Sequence, residues 1–211
     1  MSRFLFFALV VLIISCKEAV QTATSLAKVS EKPVLVADEG RYFTLDKDAV
    51  SIYLPETFKK YSISEYEYEV KKLNDSINDP FVSLFINLRD NVKGNFYLLY
   101  DKENYSFCAV NTLQYFDFGR QDAKYMLAMI RKSQQDSSGP DIFFEKITAK
   151  YSATDDVKIF KSVFKISNFD ETRFNYRHIY IMSTKKNQTF QFIFNTPFEI
   201  DFDPFIRRMK I

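Results

Sequence analysis

Four β-rich runs follow one another between Ile142 and Thr196 with no helical stretch between them. They read "IFFEKITAKYS", "VKIFKSVFKIS", "FNYRHIYIMST" and "QTFQFIFNT". Each is dense in β-branched and aromatic side chains, the types that pack well on a pleated surface. The last two are separated only by Lys185-Lys186-Asn187. A connection that short permits only antiparallel pairing, because parallel neighbours need a crossover of roughly a dozen residues. The last two runs are thereby committed to an antiparallel hairpin. Ile159, Lys161, Val163 and Lys165 interrupt a clean alternation, so the sequence leaves the register of the second run open.

Helical patterns come earlier. Ser64 with Glu67 makes a capping-box spacing, after which Tyr66, Val70 and Leu73 recur at helical intervals. Asp79-Pro80 opens a second helix with an apolar face of Phe81, Leu84, Phe85 and Leu88. Proline at the first helical position forfeits only an N–H that has no intrahelical partner. "GRQDAKYMLAMIRKSQQDSSGP" predicts the longest helix, with Ala123, Met126, Leu127 and Ile130 in one stripe and Gly139-Pro140 at its end. "AVSIYLP" alternates and stops at Pro55, and "NFYLLY" and "YSFCAVN" flank "DKEN" as a hairpin. Asp203-Pro204 starts a short final helix in which Phe205, Ile206 and Met209 can cap a sheet. The order implies an α+β fold: a largely antiparallel β-sheet of about six to seven strands packed with about three to four helices. With 46% apolar residues, 23 Phe and 13 Tyr, the composition is ample for a core.

The N-terminus carries an address. Arg3 precedes an unbroken apolar segment, Phe4 to Ile14. As a helix it would reach roughly 16 Å against about 30 Å of hydrocarbon, the proportions of a signal-peptide core and too short to span comfortably. Ile13-Ile14-Ser15-Cys16 follows, and it resembles the lipobox of bacterial lipoproteins. The resemblance implies cleavage between Ser15 and Cys16, a diacylglyceryl group on the Cys16 thiol and acylation of the new amine. Residues 1–15 would then be a signal peptide, 16–40 a lipidated N-terminus and tether, and 41–211 a single α+β domain. Lys17 stands where an Asp would resemble the inner-membrane retention signal. The expected location is therefore the outer membrane, facing the periplasm or the surface. Lys17-Glu18 also resembles a short charged export tag. A plain secretory signal or short anchor, with Cys16 there by chance, is the alternative.

The domain itself resembles the Mog1/PsbP-like fold, seen also in DcrB-type envelope lipoproteins. "VSIYLPETF" is similar to that fold's opening strand, and "QTFQFIFNTPFEIDFDPFIRRMKI" to its closing meander and terminal helix. The stretch "EYEYEVKKLNDSINDPFVSLFINLRD" is longer and more helical than that fold leads one to expect. The resemblance carries over no functional residues.

Chemistry is constrained mainly by elimination. Lys and Arg number 29 against 27 Asp and Glu, a balance that argues against nucleic acid as a partner. His178 is the single histidine, which removes HExxH and multi-histidine metal sites; in a strand it reads as a hydrogen-bonded or partly exposed structural residue. Gly40, Gly94, Gly119 and Gly139 are too far apart for a dinucleotide fingerprint, a P-loop or GxSxG. With Cys16 lipidated, Cys108 is left alone on a strand, as a buried small hydrophobe rather than a nucleophile. The Ser-x-x-Lys matches at Ser162 and Ser183 lie in strand-like runs rather than at a helix start. Asp201 and Asp203 alternate on an extended segment and could contribute to a calcium site, although Asp203 as a cap for the last helix explains half the pair. No catalytic residue, metal or cofactor is assigned. Tyr66, Tyr68, Arg173, Tyr176 and Arg177 form the candidate binding surface, since aromatics with arginine are enriched at hot spots. The expected function is a non-enzymatic envelope module, held to the lipid bilayer through acylated Cys16 and contacting an envelope protein partner. Its rivals are a toxin- or enzyme-inhibiting lipoprotein and an envelope hydrolase using a carboxylate pair.

Overall fold

Each C-terminal run pairs with its neighbour. In the computed structural model, which describes residues 39–73, 80–137, 142–168, 171 and 174–211, they are β6 (Ile142–Ala153), β7 (Val157–Asn168), β8 (Phe174–Thr184) and β9 (Thr189–Thr196). Every pairing is antiparallel, and β7 and β8 run in unbroken register from Val157↔Thr184 to Ser167↔Phe174. The register that the sequence left open is thus settled, with Lys161 opposite Tyr180 and Val163 opposite His178. β9 continues into the hairpin of β5 (Ser106–Leu113) and β4 (Phe96–Asp101), and β3 (Lys59–Tyr61) closes the far edge. The seven-stranded order is β3-β4-β5-β9-β8-β7-β6. β1 (Arg41–Leu45) and β2 (Val50–Leu54) form a separate two-stranded sheet. The α+β expectation holds, with the second small sheet added. The sequence patterns had not singled out β1 or β3.

Both faces of the large sheet are covered, so β5 and β9 are buried at every position. One face packs against α1 (Ile63–Leu73), α2 (Pro80–Asn91) and α3 (Arg120–Ser137). α3 carries the chain from central β5 to the outer strand β6. The other face packs Leu99, Cys108, Val110, Tyr180, Met182, Phe190, Phe192 and Phe194 beneath the β1–β2 hairpin, Phe58 and the short helix α4 (Asp203–Arg207). Period-two alternation sends Phe192 and Phe194 one way and Ile193 the other.

Local chemistry explains most boundaries. α1 is capped two residues earlier than Ser64/Glu67 suggests: Ser62 N–H donates to Glu65 Oε2 at 2.7 Å, and Glu65 N–H donates to Ser62 Oγ at 3.2 Å. The earlier box brings Ile63 into the helix, on one buried face with Tyr66 and Val70. Pro80 does open α2, whose Phe81, Leu84, Phe85 and Leu88 are all buried. Ahead of α3, Gly119 N–H donates to Asp122 Oδ2 at 2.8 Å, half of a capping box. The β4–β5 turn is tied by Asp101, which is fully buried and accepts from Thr57 Oγ1, Glu103 N, Asn104 N and Asn104 Nδ2. Asp48 fixes the β1–β2 turn to the sheet by accepting from Asn95 Nδ2 at 3.1 Å and Tyr97 OH at 2.6 Å. Leu73's side chain, Asp79, Gly139 and Pro140 lie outside the described residues.

The two edges are treated differently. β3 is three residues long and carries two exposed lysines. β6 is twelve residues long, and its register slips at Ile147 in a bulge between Lys146 and Thr148. The bulge and the exposed Lys146 and Lys150 blunt an edge that exposes Phe143 and Ile147.

Phe85 meets Tyr66, Phe81, Phe96 and Phe107. Phe85→Ala is expected to cost about 3–5 kcal/mol of stability, read from urea unfolding at constant m-value. At Gly94, with φ +132°, an added Cβ would fall 1.9 Å from Thr112 O. Gly94→Ala should therefore prevent soluble expression or lower the melting temperature more than any surface alanine does.

Candidate functional site

Lys161 is a buried lysine on a sheet strand. Alternation along β7 places it on the face opposite Phe160 and Phe164, beside Tyr180 of β8, where the sheet runs under α4. The residue is only 8% exposed. Its Nζ donates to Asp201 Oδ1 at 2.8 Å and to Asp203 Oδ1 at 2.6 Å, and it lies 5.5 Å from the centre of the Tyr180 ring. Tyr180 OH donates to the same Asp203 oxygen at 2.8 Å. A buried ammonium is tolerated only when paired in this way.

The neighbouring groups are held in single protonation states. Partial burial works against the Asp201 charge, but the bonds from Lys161 and from Asp203 N–H outweigh it and keep the carboxyl below its usual range. That is the opposite of what a general acid needs. Burial, reinforced by the Asp203 charge, keeps the Tyr180 phenol protonated far above its ordinary range. His178 follows Arg177 on β8 and is 2% exposed, its ring edge-on to Phe202 at 5.0 Å. Neither ring nitrogen has a hydrogen-bond partner among the described residues. Burial first, then the Lys161 charge, push its pKa down to about 3 against the pull of Asp201 and Asp203. The expected hydrogen-bonded or partly exposed histidine is corrected to a neutral, buried one. Its location under α4 and the 197–202 segment is the reason.

Asp203 is also not the helix cap. Phe202 occupies that position without a side-chain cap bond, and Asp203 is the first helical residue. Asp201 takes the capping role, receiving Asp203 N–H at 3.1 Å. Among the described residues, no group of three His, Cys, Asp or Glu is arranged to hold a metal ion.

Beside the cluster runs a groove of about 320 Å³, bounded by Lys150, Tyr151 and Ser152 of β6, Ile159 and Lys161 of β7, Tyr180, and Asp203, Ile206 and Arg207 of α4. It lies where the α4 layer, which reaches Lys161 of β7 and Tyr180 of β8 through Asp203, leaves Lys150 and Ser152 of the edge strand β6 exposed.

Of the five residues expected to share a binding surface, the four that are described, Tyr66, Tyr68, Tyr176 and Arg177, do not lie on one face. Tyr66 is buried against Phe85 and Tyr100, at 5.1 and 4.9 Å between ring centres. Tyr68 is exposed on α1, with Lys72 Nζ 4.1 Å above its ring. Arg177 is buried on the helix-facing side of β8 with Ile179 and Ile181, whereas Tyr176 points to the opposite face. Period-two alternation separates these sequence neighbours. Arg173, Ser15 and Cys16 lie outside the described residues. Cys108 is fully buried, and burial pushes its thiol pKa up, as befits a small hydrophobe. Ser162 and Ser183 both lie on strands. Lys161 was missed because a lone lysine in a strand reads as solvated. The signal that finds it is an apolar frame, Ile159 and Val163, together with the Asp-x-Asp that precedes Pro204.

No family model matches the sequence, and no curated protein matches it significantly. Among solved structures the chain is similar to the solution structure of cyanobacterial PsbP (CyanoP) from Synechocystis sp. PCC 6803, with 11% sequence identity and a TM-score of 0.46 over 79% of this chain and 85% of that one.

Because His178 titrates near 6.5 when unfolded and near 3 when folded, its contribution to stability is complete above pH 6.5 and is lost as pH falls toward 3. Stability should fall by at most about 1.4 kcal/mol per pH unit from this group. His178→Leu should flatten the stability curve between pH 6.5 and the onset of carboxylate protonation near pH 4, measured by urea unfolding across pH.

Proposed function

We propose that this chain is a bacterial envelope lipoprotein, tethered to the outer membrane through acylated Cys16, whose α+β domain works by binding a partner rather than by catalysis. The observation that carries this proposal is the apolar segment Phe4–Ile14 ending at Ser15-Cys16, with Arg3 before it and charge after it. Each buried methylene adds about 0.8 kcal/mol, so two or three acyl chains hold a protein on a bilayer where one alone is marginal. The 22 residues from Lys17 to Asp38 set the reach of the domain from the bilayer. A chain of that length spans roughly 25 Å as a random coil and about 75 Å at full extension.

The site chemistry supports binding over catalysis at the Lys161 cluster. Lys161, Asp201, Asp203 and Tyr180 are committed to one another, and burial holds His178 neutral. The kinship proposed for the domain is Mog1/PsbP-like. It is supported by strand β2, which ends at Leu54-Pro55, by the closing meander and by the terminal helix laid on its face.

Metabolic labelling with a radioactive fatty acid tests the anchor. The wild-type protein should be labelled, and its mature N-terminal residue should be Cys16. Cys16→Ser should be unlabelled and retain residues 1–15. Label persisting in Cys16→Ser, or a mature terminus elsewhere, overturns the proposal.

A further inference from the structure

The Lys161 ammonium has three N–H donors, and two are used by Asp201 and Asp203. The third has no partner among the described residues, on a side chain that is nine-tenths buried beside the groove. Two further cations line the same groove from opposite sides, Lys150 from β6 and Arg207 from α4. Both are exposed, and neither forms an ion pair among the described residues. Ile159, Ile206 and the Tyr180 ring supply apolar surface between them, and Ser152 supplies a hydroxyl.

We infer that this groove is a binding site for a small amphipathic monoanion, a carboxylate carrying an apolar body. Charge accounting selects the class. Lys150, Lys161 and Arg207 stand against Asp201 and Asp203, leaving a single positive charge that one carboxylate neutralises. A dianion would overshoot that balance and be repelled by the two aspartates. The carboxylate accepts the spare Lys161 N–H and sits between the Lys150 and Arg207 head groups, where charge-assisted hydrogen bonds are the strong kind. Its body lies along Ile159, Ile206 and Tyr180. The volume of about 320 Å³ is at the small end of the range for ligand pockets, which excludes folded macromolecules as the occupant of the groove. The site does not depend on the lipid anchor.

The test uses the purified full-length chain with 3-phenylpropionate as probe, in saturation-transfer NMR and calorimetry near pH 7. The neutral analogue 3-phenylpropanol and inorganic phosphate serve as competitors of altered charge. The acid should bind, and the alcohol and phosphate should each bind at least tenfold more weakly. Lys150→Gln combined with Arg207→Gln should weaken the acid at least tenfold. Both positions are exposed, so its thermal melt should stay close to wild type and separate lost binding from lost folding. Lys161→Met should also abolish binding, but it removes a buried ion pair and is interpreted only if its circular dichroism is native. Any of three results overturns the inference: no binding at about 10 mM acid, alcohol or phosphate binding as tightly as the acid, or unchanged affinity in a folded double variant.

Discussion

A seven-stranded antiparallel sheet with apolar side chains on both faces cannot rest in water on either side, and the remaining structure answers that constraint. β5 and β9 at its centre are buried at every position. Three helices cover one face through Tyr66, Phe81, Phe85, Leu88, Met126 and Ile130. The β1–β2 hairpin, Phe58 and α4 cover the other through Phe43, Leu45, Ile52, Phe202 and Phe205. Removing either layer would expose an apolar patch far larger than a soluble monomer tolerates. The polar anchors serve the same end. Asp48 fastens the hairpin turn to Tyr97 and Asn95, and Lys210 pairs with Ser51 to seat the C-terminus against β2.

The second covering layer is narrower than the sheet, and this inequality makes the candidate site. α4 ends over β7 and β8, so Lys161 lies at a boundary between dry and wet surface. Deeper in, His178 is dry enough to lose its proton, while Asp201 remains exposed enough to keep its charge. Lys161 between them needs its aspartates to be tolerated at all. The same boundary leaves a groove whose apolar surface comes from the sheet and from Ile206 of α4, and whose rim charges come from β6 and α4. A covering layer that extended to β6 would bury Lys150 and abolish the groove.

The function proposed for the chain and the chemistry of the groove rest on separate parts of the molecule. The lipobox resemblance concerns where the domain is held, and Cys16 is far in sequence from any residue of the site. The groove concerns the ligand proposed for the domain. The two proposals therefore stand or fall independently of one another.

The sequence alone determined the class of fold, because strand composition and connection length are local properties. Short links such as Lys185-Lys186-Asn187 force antiparallel pairing, Pro80 starts a helix, and the Phe81, Leu84, Phe85 and Leu88 stripe names the face that is buried. It could not choose between Ser62 and Ser64 as a cap, since both spacings match and only the burial of Ile63 decides. It also could not find the site. Tyr66, Tyr176 and Arg177 look alike in composition, yet helix packing buries the first and strand alternation sends the other two to opposite faces. Lys161, Asp201 and Asp203 are brought together across about forty residues by the fold of α4 onto β7. Whether a lysine is solvated or buried depends on what lies above it, and that is a property of the assembled layers alone.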